Sequence, residues 1–221
     1  MTPKDKFSAD EYWDNRYKSS DRGSGEGSRG NLKDQKIEII NDLIKKHGIE
    51  SVFDYGCGDG IQVEELLPIK YVGADISETS VEMCRSKYAE DPNKSFFVTG
   101  NYPFDTKFDM SMSLDVLYHI PTEAQLEEYI RNLFKVSSNI VVIYTTNYKK
   151  RLTAKHVFKR EFFPMAFKWI EGFTLIETIY NPVKKLPNFY IFQKTEKITK
   201  MKKIEPHKQT VRKARETNRL S

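Results

Sequence analysis

The sequence predicts an α/β fold: a mostly parallel sheet of seven strands, helices on both faces, and an antiparallel hairpin at one edge. Three observations carry this. Short runs rich in β-branched and aromatic residues alternate with stretches of helical periodicity, as strands joined by crossover helices do. The first such run ends in closely spaced glycines, the mark of a sharp strand-to-helix turn. The last two runs, 173–181 and 187–193, are separated only by the turn-rich 182–186, so they pair with each other.

In chain order, residues 12–17 form an aromatic and charged segment, Tyr12-Trp13-Asp14-Asn15-Arg16-Tyr17. Residues 19–30 follow with four glycines, four serines and no apolar side chain, which makes them a mobile loop. Leu32, Ile39, Ile40, Leu43 and Ile44 fall mainly at helical spacing over 32–47, and Gly48 stops that helix. Strands are expected at 51–55, 71–74, 95–98, 108–113 and 139–144, with helices at 60–67, 78–88 and 123–136 between them. Ser77 caps the second of these helices, and Thr122 with Gln125 forms a capping box on the third.

Composition bounds the rest. The chain has 221 residues, 38% hydrophobic and 30% charged, enough for one domain with a sizeable core. Its longest apolar run, 140–144, is far short of the roughly 20 residues that span a bilayer. The first ten residues have no apolar signal core, so a cytoplasmic address is expected. Two cysteines and four histidines with no Cys-x-x-Cys support neither a disulfide framework nor a metal. The net charge of +5 is concentrated at one end: residues 195–221 hold nine Lys/Arg against three Glu, leaving 1–194 near neutral. Three parts are therefore expected, an aromatic flap and loop (1–30), a main domain (31–194) and a flexible basic tail (195–221).

The chemistry begins at Phe53-Asp54-Tyr55-Gly56-Cys57-Gly58-Asp59-Gly60. Glycines there let the backbone approach a ligand where side chains would collide. A dinucleotide fingerprint needs G-x-G-x-x-G, but Ile61 occupies the third glycine's position and Gly60 comes one residue early. That disfavours a nicotinamide oxidoreductase. Asp75 ends the second strand 19 positions after Gly56, near the spacing of about 20 for an acid that grips ribose hydroxyls. Read singly, the glycines are turn residues, Asp54 a strand residue and Asp75 a helix-start charge; their joint spacing points to a nucleotide-type site.

An acid followed by G-x-G-x-G resembles motif I of the class I S-adenosylmethionine (SAM)-dependent methyltransferases, and the resemblance runs over roughly 31–194. It implies a Rossmann-like fold and SAM as cofactor. By it Asp54 positions the methionine ammonium, Gly56 and Gly58 pack their backbone against the ligand, and Asp75 binds both ribose oxygens. Cys57, Gly60 and Ile76 complete that wall. The segment FDMSMSLDVLYHI (108–120) looks like the family's fourth strand, which puts Leu114 and Asp115 beside the methionine and methyl group and His119 just beyond. Thr99-Gly100-Asn101 stands where the family usually has an adenine-binding Asp, so Asn101 takes that role.

Methyl transfer to a hydroxyl needs a base, and Asp115 and His119 are the candidates, His119 also reading as a structural hydrogen-bonding residue. His156 and Arg160 follow the fifth strand, where they contact acceptor or cap a helix. Tyr12, Trp13, Arg16 and Tyr17 read as a flap over the cofactor, or as a short helix packed on the sheet. The YWxxRY-like start together with FDYGCGDG and YVGADIS looks like small bacterial methyltransferases of sugar and surface-polysaccharide pathways. That implies a small-molecule or glycan hydroxyl as acceptor, with Arg29 and the loop amides near an anionic group. The basic tail keeps a nucleic-acid methyltransferase open as the second reading. A catalytically silent SAM-binding module is the third.

Overall fold

The computed structural model describes residues 7–19, 23–149, 154–183, 186–196 and 210–213, the last by backbone only. All seven expected strands form: β1 (Ser51–Tyr55), β2 (Lys70–Asp75), β3 (Lys94–Val98), β4 (Phe108–Leu114), β5 (Ser137–Thr145), β6 (Phe173–Tyr180) and β7 (Asn188–Lys194). An eighth, β8 (Thr210–Lys213), adds to the outer edge within the segment read as a tail. The other tail residues, 197–209 and 214–221, lie outside the described residues.

The sheet order is β3-β2-β1-β4-β5-β7-β6-β8. Strands β1 to β5 pair in parallel, and β7 runs antiparallel to both β5 and β6. The hairpin is thus where the missing crossover helix put it.

Among the described residues, five helices accompany the sheet: α1 (Ala9–Lys18), α2 (Gly30–His47), α3 (Glu78–Lys87), α4 (Glu123–Lys135) and α5 (Phe162–Ala166). Local chemistry explains their ends. Gly48 closes α2 in the left-handed conformation, Ser77 accepts the Ser80 amide at the start of α3, and Thr122 with Gln125 forms the capping box of α4.

Each face of the sheet is covered. Ile40, Leu43 and Ile44 of α2 and Val81 of α3 pack on Val52, Tyr71, Met110 and Val142. On the other face Leu126, Ile130 and Leu133 of α4 and Trp169 meet Phe53, Val141, Ile143 and Phe192. Alternate strand residues therefore go to opposite cores, as the period of two requires. Among the described residues, no helix is long and apolar enough to cross a membrane.

One expected element is absent. Residues 60–67 form no α-helix, only a single 3-10 turn at Val63–Glu65. Gly60 sits at φ +68°, outside the helical region, and Pro68 discourages helix in the residue before it, so too little chain remains for a stable helix. The Asn41 side chain of α2 instead satisfies the segment, accepting from the Leu67 amide and donating to the Glu65 carbonyl, both at 2.9 Å. Without a helix start after the glycine turn, that turn lacks the dipole that favours phosphate.

Candidate active site

Strand order reverses between β1 and β4, and their carboxyl ends open the crevice where ligands bind in such sheets. A cavity of about 520 Å³ lies there, within the range of small-molecule sites. The turn after β1 forms its floor through Gly56, Cys57 and Gly58; Asp75 and Ile76 follow β2; Leu114, Asp115 and His119 follow β4; Trp13, Arg16 and Tyr17 of α1 close over it. Four expected residues stand outside this wall: Tyr12, Asp54, Gly60 and Asn101.

The turn is built to leave room. Gly56 and Gly58 have φ of +95° and +58°, which side-chain-bearing residues avoid. A Cβ at Gly58 would also lie 2.4 Å from Ser24 Oγ, so the loop ahead of α2 approaches as closely as glycine permits. Gly60 has a different duty, facing Cys84 and Tyr88 of the core, with the Tyr88 hydroxyl donating to its carbonyl at 2.8 Å.

Asp75 is buried, and each oxygen accepts one backbone amide: Oδ2 from Gly58 at 2.9 Å and Oδ1 from Ser77 at 3.0 Å. Burial pushes its carboxyl above the usual range. Each oxygen keeps a lone pair for a further donor such as a ribose hydroxyl. Asp54 lies behind the turn, where Oδ2 accepts the Tyr71 hydroxyl at 2.7 Å and burial lifts its pKa to about 7. Its Oδ1 is buried without a protein donor, the kind of acceptor that an ammonium or a water satisfies. The cavity size and the Asp75 carboxylate in its wall fit a nucleoside that carries an amino acid.

Beyond β3, Thr99 lines the cavity while Asn101 is exposed at the end of the same turn. The two belong to one 3-10 turn, Thr99–Asn101, which follows β3.

Both Asp115 oxygens are engaged. Oδ1 accepts the Tyr118 hydroxyl at 2.6 Å and Oδ2 the Lys36 ammonium at 2.8 Å, and the residue adopts φ +64°. His119 Nδ1 lies 2.7 Å from the His156 carbonyl oxygen. Burial lowers its pKa to about 4, so the ring is neutral near pH 7. Trp13 meets it edge-on at 4.8 Å, and Tyr12 stacks on His156 at 4.6 Å behind that layer. Arg160 turns away from the cavity and donates to the Ile120 and Pro121 carbonyls, holding the stretch after His119. Arg29 stands 4.0 Å from Asp59.

Several site residues escaped the sequence reading. Asp14 of α1 accepts from the Ser77 hydroxyl and the Thr79 amide, at 3.0 and 2.9 Å, docking α1 on the start of α3. Asp59, inside the glycine motif, takes both the Ser24 hydroxyl and its amide. Lys36 is buried, although its signal was present: positions 36, 40 and 43 share one helical face, so a lysine stood on the apolar stripe.

Comparison with known proteins agrees with this geometry. Residues 52–139 match the family model described as a methyltransferase domain. The mitochondrial ubiquinone biosynthesis O-methyltransferase of Dictyostelium discoideum is 25% identical over 133 residues, covering 48% of this chain and 40% of that protein. The chain thus matches well under half the length of that relative. Among solved structures, N-methyltransferase NodS from Bradyrhizobium japonicum with bound S-adenosylhomocysteine (SAH) superposes with a TM-score of 0.66 at 14% identity, covering 85% of this chain and 99% of that one. Magnesium protoporphyrin IX methyltransferase from Synechocystis with bound SAM gives 0.61 at 17% identity, over 86% and 98%. The fold is that of these methyltransferase structures, and the cavity between β1 and β4 lies where such sheets bind their ligands. Residues 52–139, which match the methyltransferase-domain model, carry the glycine turn, Asp75 and residues 114–119 of the cavity wall.

Proposed function

We propose that this protein moves the methyl group of SAM to a hydroxyl oxygen of a small-molecule or glycan acceptor, with His119 as the base. The His119 ring carries this reading. A carbonyl only accepts hydrogen bonds, so Nδ1, at 2.7 Å from the His156 oxygen, bears the hydrogen and Nε2 keeps its lone pair. Burial keeps that lone pair free at neutral pH.

Bound SAM supplies an electrophilic methyl group; the chain supplies alignment, exclusion of water and a place for the hydroxyl proton. Asp75 holds the ribose, the Gly56–Gly58 backbone holds the methionine end with Asp54 buried behind it, and Thr99 and Ile76 flank the adenine. Trp13, Arg16 and Tyr17 form the flap that covers them. His119 Nε2 receives the proton that the acceptor hydroxyl loses. Asp115, with both oxygens taken, positions its neighbours rather than acting as a second base.

The name of the Dictyostelium relative, an O-methyltransferase, supports oxygen as the target. The likeness of residues 12–17, 53–60 and 71–77 to sugar-pathway enzymes supports a glycan or sugar hydroxyl in the cytoplasm.

The test begins with calorimetric titration of SAM and SAH into the wild type and Asp75→Ala, followed by methyl-labelled SAM with sugars, phenols, amines and oligonucleotides. Micromolar binding lost in Asp75→Ala, with label on a hydroxyl, supports the reading. Folded protein that binds neither ligand overturns it, and label on an amine or a base overturns the acceptor.

A further inference from the structure

We propose that Lys36 is a positioning residue for methyl transfer: its buried ammonium fixes the Asp115 carboxylate, and through it the Tyr118 side chain beside His119. The inference rests on the methyltransferase reading above. It goes beyond that reading by giving a role to a residue on α2, outside the matched segment 52–139.

Lys36 is 1% exposed, yet it occupies the apolar face of α2 alongside Ile40 and Leu43. A lysine there is retained against a desolvation penalty that an apolar side chain of similar length avoids. Its Nζ reaches Asp115 Oδ2 at 2.8 Å and lies 5.4 Å from the Tyr144 ring centroid. Asp115 is held at three polar points: Oδ2 by Lys36, Oδ1 by the Tyr118 hydroxyl at 2.6 Å, and its amide by the Tyr144 carbonyl at 3.0 Å. It also holds φ +64°, a conformation that surrounding contacts must maintain in a non-glycine residue.

The chain of contacts ends at the base. The Tyr118 ring meets the His119 ring at 4.6 Å and 60°, and both side chains line the cavity, as Asp115 does. Lys36 does not line it. It stands behind Asp115 and meets the cavity wall through that carboxylate. Pairing across 79 residues also locks α2 against the end of β4, so a purely structural role is the competing explanation.

The experiment separates the two with Lys36→Met and the double variant Lys36→Met/Asp115→Asn, which leaves no buried charge unpaired and so keeps a folded protein to measure. Three quantities are read: SAH affinity by calorimetry, kcat against KM with the acceptor that the labelled-SAM screen identifies, and the His119 Hε1 resonance by NMR without turnover. Positioning predicts SAH affinity within about threefold of wild type, kcat lower by about 10²-fold in both variants, and a displaced His119 resonance. A double variant with wild-type kcat and an unmoved resonance overturns the proposal, leaving a structural lock. Loss of SAH binding in the folded double variant also overturns it, because Lys36 then serves the cofactor. If the wild type binds no SAM, the methyltransferase reading fails by itself; the His119 resonance still reports whether Lys36 sets the ring.

Discussion

The Ser24 hydroxyl donates to Asp59 Oδ1 at 2.7 Å while the Ser24 amide donates to Oδ2 at 3.1 Å, so one carboxylate of the glycine turn holds the loop that leaves α1. The Tyr17 hydroxyl shares the contact, 3.0 Å from Ser24 Oγ. The cover over the cavity is thereby tied to its floor. Ser24→Ala removes a hydrogen bond to a charged group, worth about 1.5 kcal/mol. SAH should leave about tenfold faster with little change in association, as read by stopped-flow fluorescence of Trp13. An unchanged release rate would mean that this contact does not hold the flap.

Asp54 gives a stability signature. Burial raises its pKa from 3.8 to about 7, so between those values the folded chain binds a proton that the unfolded chain does not. Its contribution is present below about pH 4 and is lost as pH rises through 7. Asp54→Asn removes the buried carboxylate. Its melting temperature should exceed that of the wild type by about 5 °C at pH 8 and by little at pH 5, in a thermal scan across that range.

His119 titrates with the opposite sign. Its pKa falls from 6.5 to about 4, so its share of stability is present above 6.5 and is lost as pH falls through 4. The profile of kcat/KM should show no inflection near 6.5 from this residue and should fall only toward pH 4. His119→Gln should lower kcat about 10²-fold and leave SAM affinity unchanged. An inflection near 6.5 that disappears in His119→Gln would place the ring in water.

Gly56 and Gly48 separate backbone strain from packing. Both have positive φ, +95° and +59°, but a Cβ at Gly48 meets nothing within 4 Å. At Gly56 it would lie 2.3 Å from Val116 Cγ2, a branched side chain with little freedom to yield. Denaturant unfolding should show Gly48→Ala costing about 1 kcal/mol and Gly56→Ala about 3 kcal/mol. Equal costs would mean that Val116 moves aside freely.

Much of this protein is written in local terms that a sequence exposes directly. The alternation of strand and helix periods, the stop at Gly48, the caps at Ser77 and Thr122, and the glycine turn with Asp75 one strand later each depend on neighbours within a few residues or on a repeated unit. They determine the fold class and where its cofactor crevice opens. The helix expected at 60–67 failed because its periodicity was sound but its ends were not: Gly60 and Pro68 bound it too closely, and Asn41 from another helix took over its hydrogen bonds.

Tertiary structure alone decided which residues share the cavity. It brought Thr99 to the wall and left Asn101 outside, placed Asp54 behind the turn, gave Arg160 to two backbone carbonyls and engaged both oxygens of Asp115. It also paired Lys36 with Asp115 and Ser24 with Asp59, partners 79 and 35 residues apart. The physical reason is distance along the chain. Propensity, capping and turn chemistry act over a few bonds and leave their pattern in the sequence, whereas the pairing of a buried charge is chosen only after the sheet has assembled and its two faces have excluded water.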